Sequence, residues 1–401
     1  MNKRYLNKIK VFIFSIFFTS FALTNEDIYK EVQSKLIMAK NGEVISLPQG
    51  KFIVTRSLWG ENLKNITIKG AGINSTILSF KSQIEGAEGL KIINSQNVTL
   101  QDFTVEDSKG DLIKVEDSKN INFINIKAQW TGGPLETNGS YALYPVKSEN
   151  ILIDHCIAIG ASDAGIYVGQ SKNIIVRNSE AYNNVAGIEI ENSTNADVYN
   201  NYTHNNTGGI LVFDLPDLLV KKGQNVRVFN NLIVENNLYN FAPEGNIVAK
   251  VPTGTGVMVL ATSNVEIFNN IIIENKTANT SIVSYYITEE EITDSLYYPY
   301  PTSVYIHDNI YKRSKQFPAL SFTQPIGLLL AYNFWRSVPD IIYDGILDEY
   351  LDNHNICFKN NINSSIVNLD AGNDFLNLSI DESKFDCELD YLSPVKLPFD
   401  D

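Results

Sequence analysis

The chain has 401 residues, of which 44% are hydrophobic and 19% charged, and its formal net charge is −14. An acidic balance of this size disfavours nucleic acid and anionic membrane surfaces as partners, because both carry the same sign of charge. Three cysteines with no CxxC or Cys/His spacing argue against a thiolate metal site.

Residues 1–24 read as a secretory signal. Arg4, Lys8 and Lys10 form the basic n-region, and Val11 to Phe21 form an apolar h-region too short to span a bilayer comfortably. Cleavage is expected near Ala22 or Thr24, and no cysteine follows to carry a lipid. The mature protein is therefore expected to be soluble, without a membrane span, and secreted or periplasmic. From Asn25 to Lys40, the residues Ile28, Val32, Leu36 and Ile37 fall at helical spacing. This predicts an amphipathic helix suited to capping the open end of a repeat array.

The array announces itself in a phrase that recurs about every 22 or 23 residues. A small residue opens it, an apolar–x–apolar run follows, and an Asn stands eight positions after the opening. Copies run from Gly165 to Asn178 and from Gly187 to Asn200, and others begin at Gly89, Leu112, Ala142 and Gly256. A fixed period in the low twenties is one coil of a solenoid. Within each coil the apolar residues alternate with period two, as in Ile166/Val168 and Ile174/Val176, which is strand and not helix periodicity. Each coil then holds three short strands and three turns, and stacked coils pair parallel strands at roughly 4.8 Å. Nine to ten coils are expected.

Five residues after each repeat Asn stands a second polar column: Asp102, Asn125, His155, Asn178, Asn200, Asn230, Asn269, Asp308 and Asn360. Asn tolerates left-handed turn geometry and can bond to the coils on either side, so the column reads as a structural ladder. After Gly209 the expected Asn arrives eight residues late, at Asn225, and later starts at Asn264, Ser303 and Asn355 are 39 and 52 residues apart. These coils carry inserted loops, and Asp214 at the start of one reads as a loop cap. The β-helix is expected over 25–309. From 310 to 401 the period is lost, giving a final coil and an irregular tail packed on the solenoid. Cys156 lies on a repeat strand as a core thiol. A bridge between Cys357 and Cys387 would close a loop of about 30 residues and contribute roughly 3 kcal/mol.

Several strings carry a resemblance. The segments GEVISLPQGKFIV and NITIKGAG resemble the opening of right-handed parallel β-helix proteins of the pectate-lyase-like superfamily. TNGSYALYPV, GASDAGIYVGQS, NVAGIEIENS, NTGGILVFDLP and NFAPEGNIVAKVPTGTGV are similar to a narrower family of exported proteins with tandem β-helix repeats. The resemblance covers nearly all of the mature chain. It implies an all-β fold, a single-stranded right-handed parallel β-helix with three strands per coil and a helical N-terminal cap. It also implies a function somewhere in a superfamily that spans polysaccharide lyases, glycosidases, uronan C5-epimerases and non-catalytic members.

The repeat register shows which side chains share an outer face. Lys91, Lys114, Tyr144, Tyr167, Glu189, Leu211 and Met258 align on successive coils, with Glu116, Gly169, Glu191 and Phe213 two positions on. Lys114, Tyr144, Tyr167 and Glu189 are the candidate catalytic residues, expected side by side on an exposed face. Abstraction of a uronate C5 proton needs the sugar carboxylate neutralised, a role for Lys114 or Lys91, and a base and an acid, roles for Tyr144, Tyr167 or a lysine. Glu189 and Glu191 suit sugar hydroxyls, a Ca²⁺ shared with Asp163, or a glycosidase pair about 7 Å apart by strand rise. Trp130, Asn138 and Tyr141 lie in a longer turn that is either a sugar-contacting loop or a packed one. No metal site is read from the scattered His155, His204, His307 and His354. The expected function is binding or modifying an acidic polysaccharide, of the lyase or C5-epimerase type. The alternative is a non-catalytic envelope factor whose partner is another exported protein. The chain is expected to be a monomer.

Overall fold

In a computed structural model, residues 25–351 and 354–399 are described. The expected signal segment lies outside these residues. The chain forms a parallel β-helix. One wall is an 11-stranded sheet running from Arg56–Glu61 to Ile366–Asn368, every neighbouring pair parallel and in chain order. The other two walls share a 19-stranded sheet, because Gln96–Glu106 and Lys119–Gln129 run on through the corner between them. Eleven strands in one wall exceed the repeat count because Ile341–Tyr343 and Ile366–Asn368 stack where the sequence period has faded.

The corners are made by residues that accept a left-handed backbone. Asn97, Asn120, Asn150, Asn173 and Asn195 have φ between 55° and 59°, and Asp102, Asn125, His155, Asn178 and Asn200 have φ between 50° and 61°. L-residues other than Asn and Asp pay about 1–2 kcal/mol for this conformation. The first column is also a chain of amide bonds, from Asn225 through Asn195, Asn173, Asn150, Asn120, Asn97 and Asn65 to Asn41.

Inside the corners run two further Asn ladders that the repeat phrase did not bring out. Asn184, Asn206, Asn236 and Asn275 form one, and Asn201, Asn231, Asn270 and Asn309 the other, all buried. Each amide carbonyl takes the backbone N–H and side-chain N–H of the preceding rung, as in Asn184 N and Nδ2 to Asn206 Oδ1, both 3.0 Å. The first ladder explains the glycine that opens the phrase at Gly165, Gly187, Gly209 and Gly256. A Cβ at Gly165 would lie 2.6 Å from Asn184 Nδ2, and one at Gly187 would lie 2.9 Å from Asn206 Nδ2.

Between the walls a continuous aliphatic core fills the bore, including Ile166, Val168, Ile174 and Val176. Cys156 belongs to it, fully buried with burial pushing its thiol up to about 12. Helix α1, Asn25–Met38, closes the N-terminal end with Ile28, Val32 and Leu36 in the core. Ile37, counted with that face in the sequence, is 75% exposed. Nine positions at 100° each place it opposite Ile28. Gln33 of α1 both donates to Trp59 O (2.8 Å) and accepts from Trp59 N (2.9 Å), so the cap pairs with the edge strand's backbone as well as covering its core.

At the other end the tail returns along the outside. Cys387 is bonded to Cys357, 30 residues earlier. The tail then runs back so that Leu392 N reaches Glu266 (3.0 Å), Val395 N reaches Asp197 (3.1 Å), and Leu397 packs on Leu152 and Ile175. Beneath it Tyr199, Phe229, Phe268 and His307 stack one per coil, with Arg227 over Phe229 and bonded to Asp197 at 3.1 Å.

Asn206→Ala removes the acceptor of Asn184 N–H and leaves Ala181 O without its 2.8 Å amide partner. A loss of about 2–4 kcal/mol is expected. Asn195→Ala, on the exposed ladder, should cost only about 1–2 kcal/mol, for the left-handed backbone. Urea unfolding of the two variants checks the order.

Candidate functional site

The 11-stranded wall carries the row read from the sequence. Lys91 pairs with Lys114, Lys114 with Tyr144, Tyr167 with Glu189, Glu189 with Leu211, and Leu211 with Met258. One more member, Trp59, precedes Lys91. The row is therefore continuous, but its exposure is not. Trp59 is 50% exposed, Lys91, Lys114 and Tyr144 are half-buried, Tyr167 is 3% exposed, and Glu189 is 1% exposed.

The expected exposed face for all four candidate catalytic residues is thus corrected for Tyr167 and Glu189. The cause is the inserted segments. Those between Phe213 and Gln224, between Val234 and Thr255, and between Val283 and Thr302 fold over this wall. Phe241, Val248, Val251, Tyr285 and Tyr297 from them pack on Tyr167, Leu211, Phe213 and Met258 as a second apolar cluster. The insertions are tied to their surroundings: Tyr239 Oη donates to Pro134 O at 3.1 Å, Tyr297 Oη to Asp214 O at 2.5 Å, and Lys221 pairs with Asp294. Apolar Leu211, Phe213 and Met258 at outward positions were the sequence signal of this cover.

At the open end, charges come in pairs. Lys91 Nζ lies 3.2 Å from Glu88, Lys114 Nζ lies 3.2 Å from Glu116, and Lys147 reaches the same Glu116 at 3.1 Å. Burial works against charge on Glu88 and Glu116, yet a backbone N–H and then Lys91 at Glu88, and Lys147 and Lys114 at Glu116, hold both carboxyls below the usual range. Lys114 also sits 4.9 Å over the Tyr144 ring. Next to it, Asp111 accepts from Tyr141 N (3.1 Å), and burial pushes its carboxyl up to about 6 despite Lys114. The sequence reading passed over Glu88 and Asp111. They stand three positions before Lys91 and Lys114, where strand alternation assigns the opposite face, so the outward row did not point to them.

Behind this lies a closed nest. The Tyr141, Tyr144 and Tyr167 rings touch, with centroids 4.3–5.1 Å apart. Tyr167 Oη donates to Glu191 at 2.6 Å, and Asn246 of an insertion reaches Asp163 at 3.4 Å. Glu189 has both carboxyl oxygens buried without a hydrogen-bond partner. Burial pushes Asp163, Glu189 and Glu191 above the carboxylate range; repulsion from Glu191 adds to it at Asp163, from Asp163 and Glu191 at Glu189, and from Asp214 at Glu191. All three tyrosine hydroxyls are likewise pushed up, first by burial and then by the carboxyls, so none is poised to lose its proton. Among the described residues no group of three or more His, Cys, Asp or Glu that could hold a metal ion is found. Trp130 and Asn138 are not brought to this face. Trp130 lies in the bore with Nε1 bonded to Ser108 O at 2.9 Å, and Asn138 bonds to Gly133 O and Gly160 O, while Thr131, Leu135, Glu136 and Thr137 of the turn between them are exposed.

Residues 60–218 match the family model described as a right handed beta helix region, which makes the repeats those of a right-handed parallel β-helix. No curated protein matches the chain. Among solved structures, it is similar to the A-module of the mannuronan C-5 epimerase AlgE4 of Azotobacter vinelandii, at TM-score 0.50 and 14% identity, over 85% of this chain and 91% of that one. It is equally similar to PfbA, a surface protein and adhesin of Streptococcus pneumoniae, at TM-score 0.50 and 10% identity, over 80% and 84%. These likenesses concern the fold.

The nest makes stability depend on pH. A carboxyl whose folded pKa is raised stabilises the fold below its ordinary pKa, and that contribution is lost as pH rises through the folded value. The urea midpoint should therefore fall between about pH 5 and about pH 8. Glu189→Gln keeps the shape without the charge and should make the fall shallower.

Proposed function

We propose that this is an exported carbohydrate-associated protein that binds an acidic polysaccharide along the open end of the row. The observation that carries the reading is the succession Trp59, Lys91, Lys114 and Tyr144, one per coil, with an aromatic ring at each end and cations between. Three coil steps span about 15 Å, the scale of a short oligosaccharide. The rings offer faces on which sugars stack, and Lys91 and Lys114 can exchange Glu88 and Glu116 for uronate carboxylates. Export is supported by the basic-then-apolar opening of the chain and by the Cys357–Cys387 bridge, which suits an oxidising compartment.

The fold does not choose between catalysis and adhesion, so the choice rests on side chains. A simple binding role needs only the open residues. Modification of the polymer, by elimination or C5 epimerisation, is a second reading favoured by one feature, the enclosed and unpartnered carboxyl of Glu189. Raised above its usual range, it is held ready as an acid and not as a base.

Binding is tested by titrating purified protein with mannuronan and polygalacturonate. Lys114→Ala and Tyr144→Ala should each weaken binding by about tenfold, and affinity should fall with added salt. Parent protein that binds neither polymer would overturn the reading. New ultraviolet absorbance from an unsaturated product, or proton exchange at C5, would establish the second reading if Glu189→Gln abolishes it.

A further inference from the structure

Past Leu211 the same wall turns apolar, and there the cover does not fill all the space. A cavity of about 500 Å³ lies between the wall and the inserted segments. Its floor is Phe213, Met258, Leu260 and Val283, and Ile326 and Leu329 of helix α2 (Ile326–Phe334) form part of its roof. The volume lies in the ~300–1,000 Å³ range of small-molecule sites.

Most of the polar groups around it are engaged by the protein, Ser281 and Glu289 being the others on its lining. Thr255 Oγ1 donates to Pro252 O (2.7 Å), Thr277 Oγ1 to Thr253 O (2.6 Å), and Gln324 Nε2 to Ala249 O and Val251 O (2.9 and 2.8 Å). Asp344 accepts from Ser284 N and Ile346 N, and Lys250 is paired with Glu290 at 2.5 Å. A guest therefore meets mainly hydrocarbon walls, and a strongly hydrogen-bonding one would lose its water without return. The roof segment also displays apolar surface on its outer side: Phe322 is 93% exposed and Tyr332 90%, with Leu320 and Trp335 exposed beside them. Apolar side chains held in water next to an apolar cavity suit contact with an amphiphile or a lipid phase.

We propose that this cavity is a binding site for a single acyl chain, entered beside α2. It is separate from the saccharide surface, whose open residues end at Tyr144, and it does not depend on that assignment.

The test uses the full mature chain and two sources of the same chemistry. In solution, dodecanoate should displace a bound fluorescent fatty acid and raise the melting temperature. In parallel, the protein is mixed with phosphatidylcholine vesicles carrying a fluorescent acyl chain, and uptake is followed by loss of self-quenching. Binding of dodecanoate alone assigns the site to free amphiphiles, whereas uptake from vesicles assigns it to bilayer lipid, and either outcome upholds an acyl site. Ser281→Phe from the wall and Leu329→Trp from the roof should each fill the space and weaken binding by about tenfold or more. Circular dichroism and a cooperative melt select variants that have folded. Absence of binding from both sources, or parent-like affinity in both folded variants, would overturn the proposal.

Discussion

Every coil of this protein leaves its backbone N–H and C=O groups pointing along the axis, where only another coil in the same register can satisfy them. That requirement governs the rest. It forces each corner to turn at the same place, which the left-handed Asn and Asp columns accomplish at φ near 55°. It also demands that corner groups not in a strand find partners, which the buried ladders through Asn206 and Asn231 supply. The ends, where no further coil exists, need substitutes: α1 with its Gln33–Trp59 backbone contacts at one, and the bridged C-terminal segment at the other.

The parts of the fold governed by this periodic requirement were legible in the sequence. The repeat phrase contains the strands, the corners and the register, and the row from Lys91 to Met258 pairs as aligned. Two things were not legible. The interior ladders escaped because Asn184 and Asn206 look like ordinary turn residues until burial is known, although the glycines they pack against stood in plain view. The candidate site was half legible. Register placed Tyr167 and Glu189 correctly on the wall, but a one-dimensional pattern cannot say that a segment 50 or more residues later will cover them.

The insertions thus divide one geometric row into three chemical zones. Trp59 to Tyr144 meet solvent, Tyr167 and Glu189 are enclosed with other acids, and Leu211 to Met258 lie under apolar cover. A solenoid gains local chemistry by what its corners extrude, while the wall itself stays a uniform support.

The returning C-terminal segment has a consequence for how the molecule is made. Coils stack through near neighbours, so they can assemble progressively as the chain emerges. The contacts of Val395 with Asp197 and of Leu392 with Glu266 bridge 198 and 126 residues. Until that segment arrives, the Tyr199–Phe229–Phe268–His307 stack stands open, and Asp197 lacks one of its two partners. Its docking therefore acts as a lateral clasp, setting Leu397 against Leu152 and Ile175 and Tyr391 against His307 only once those coils are in register.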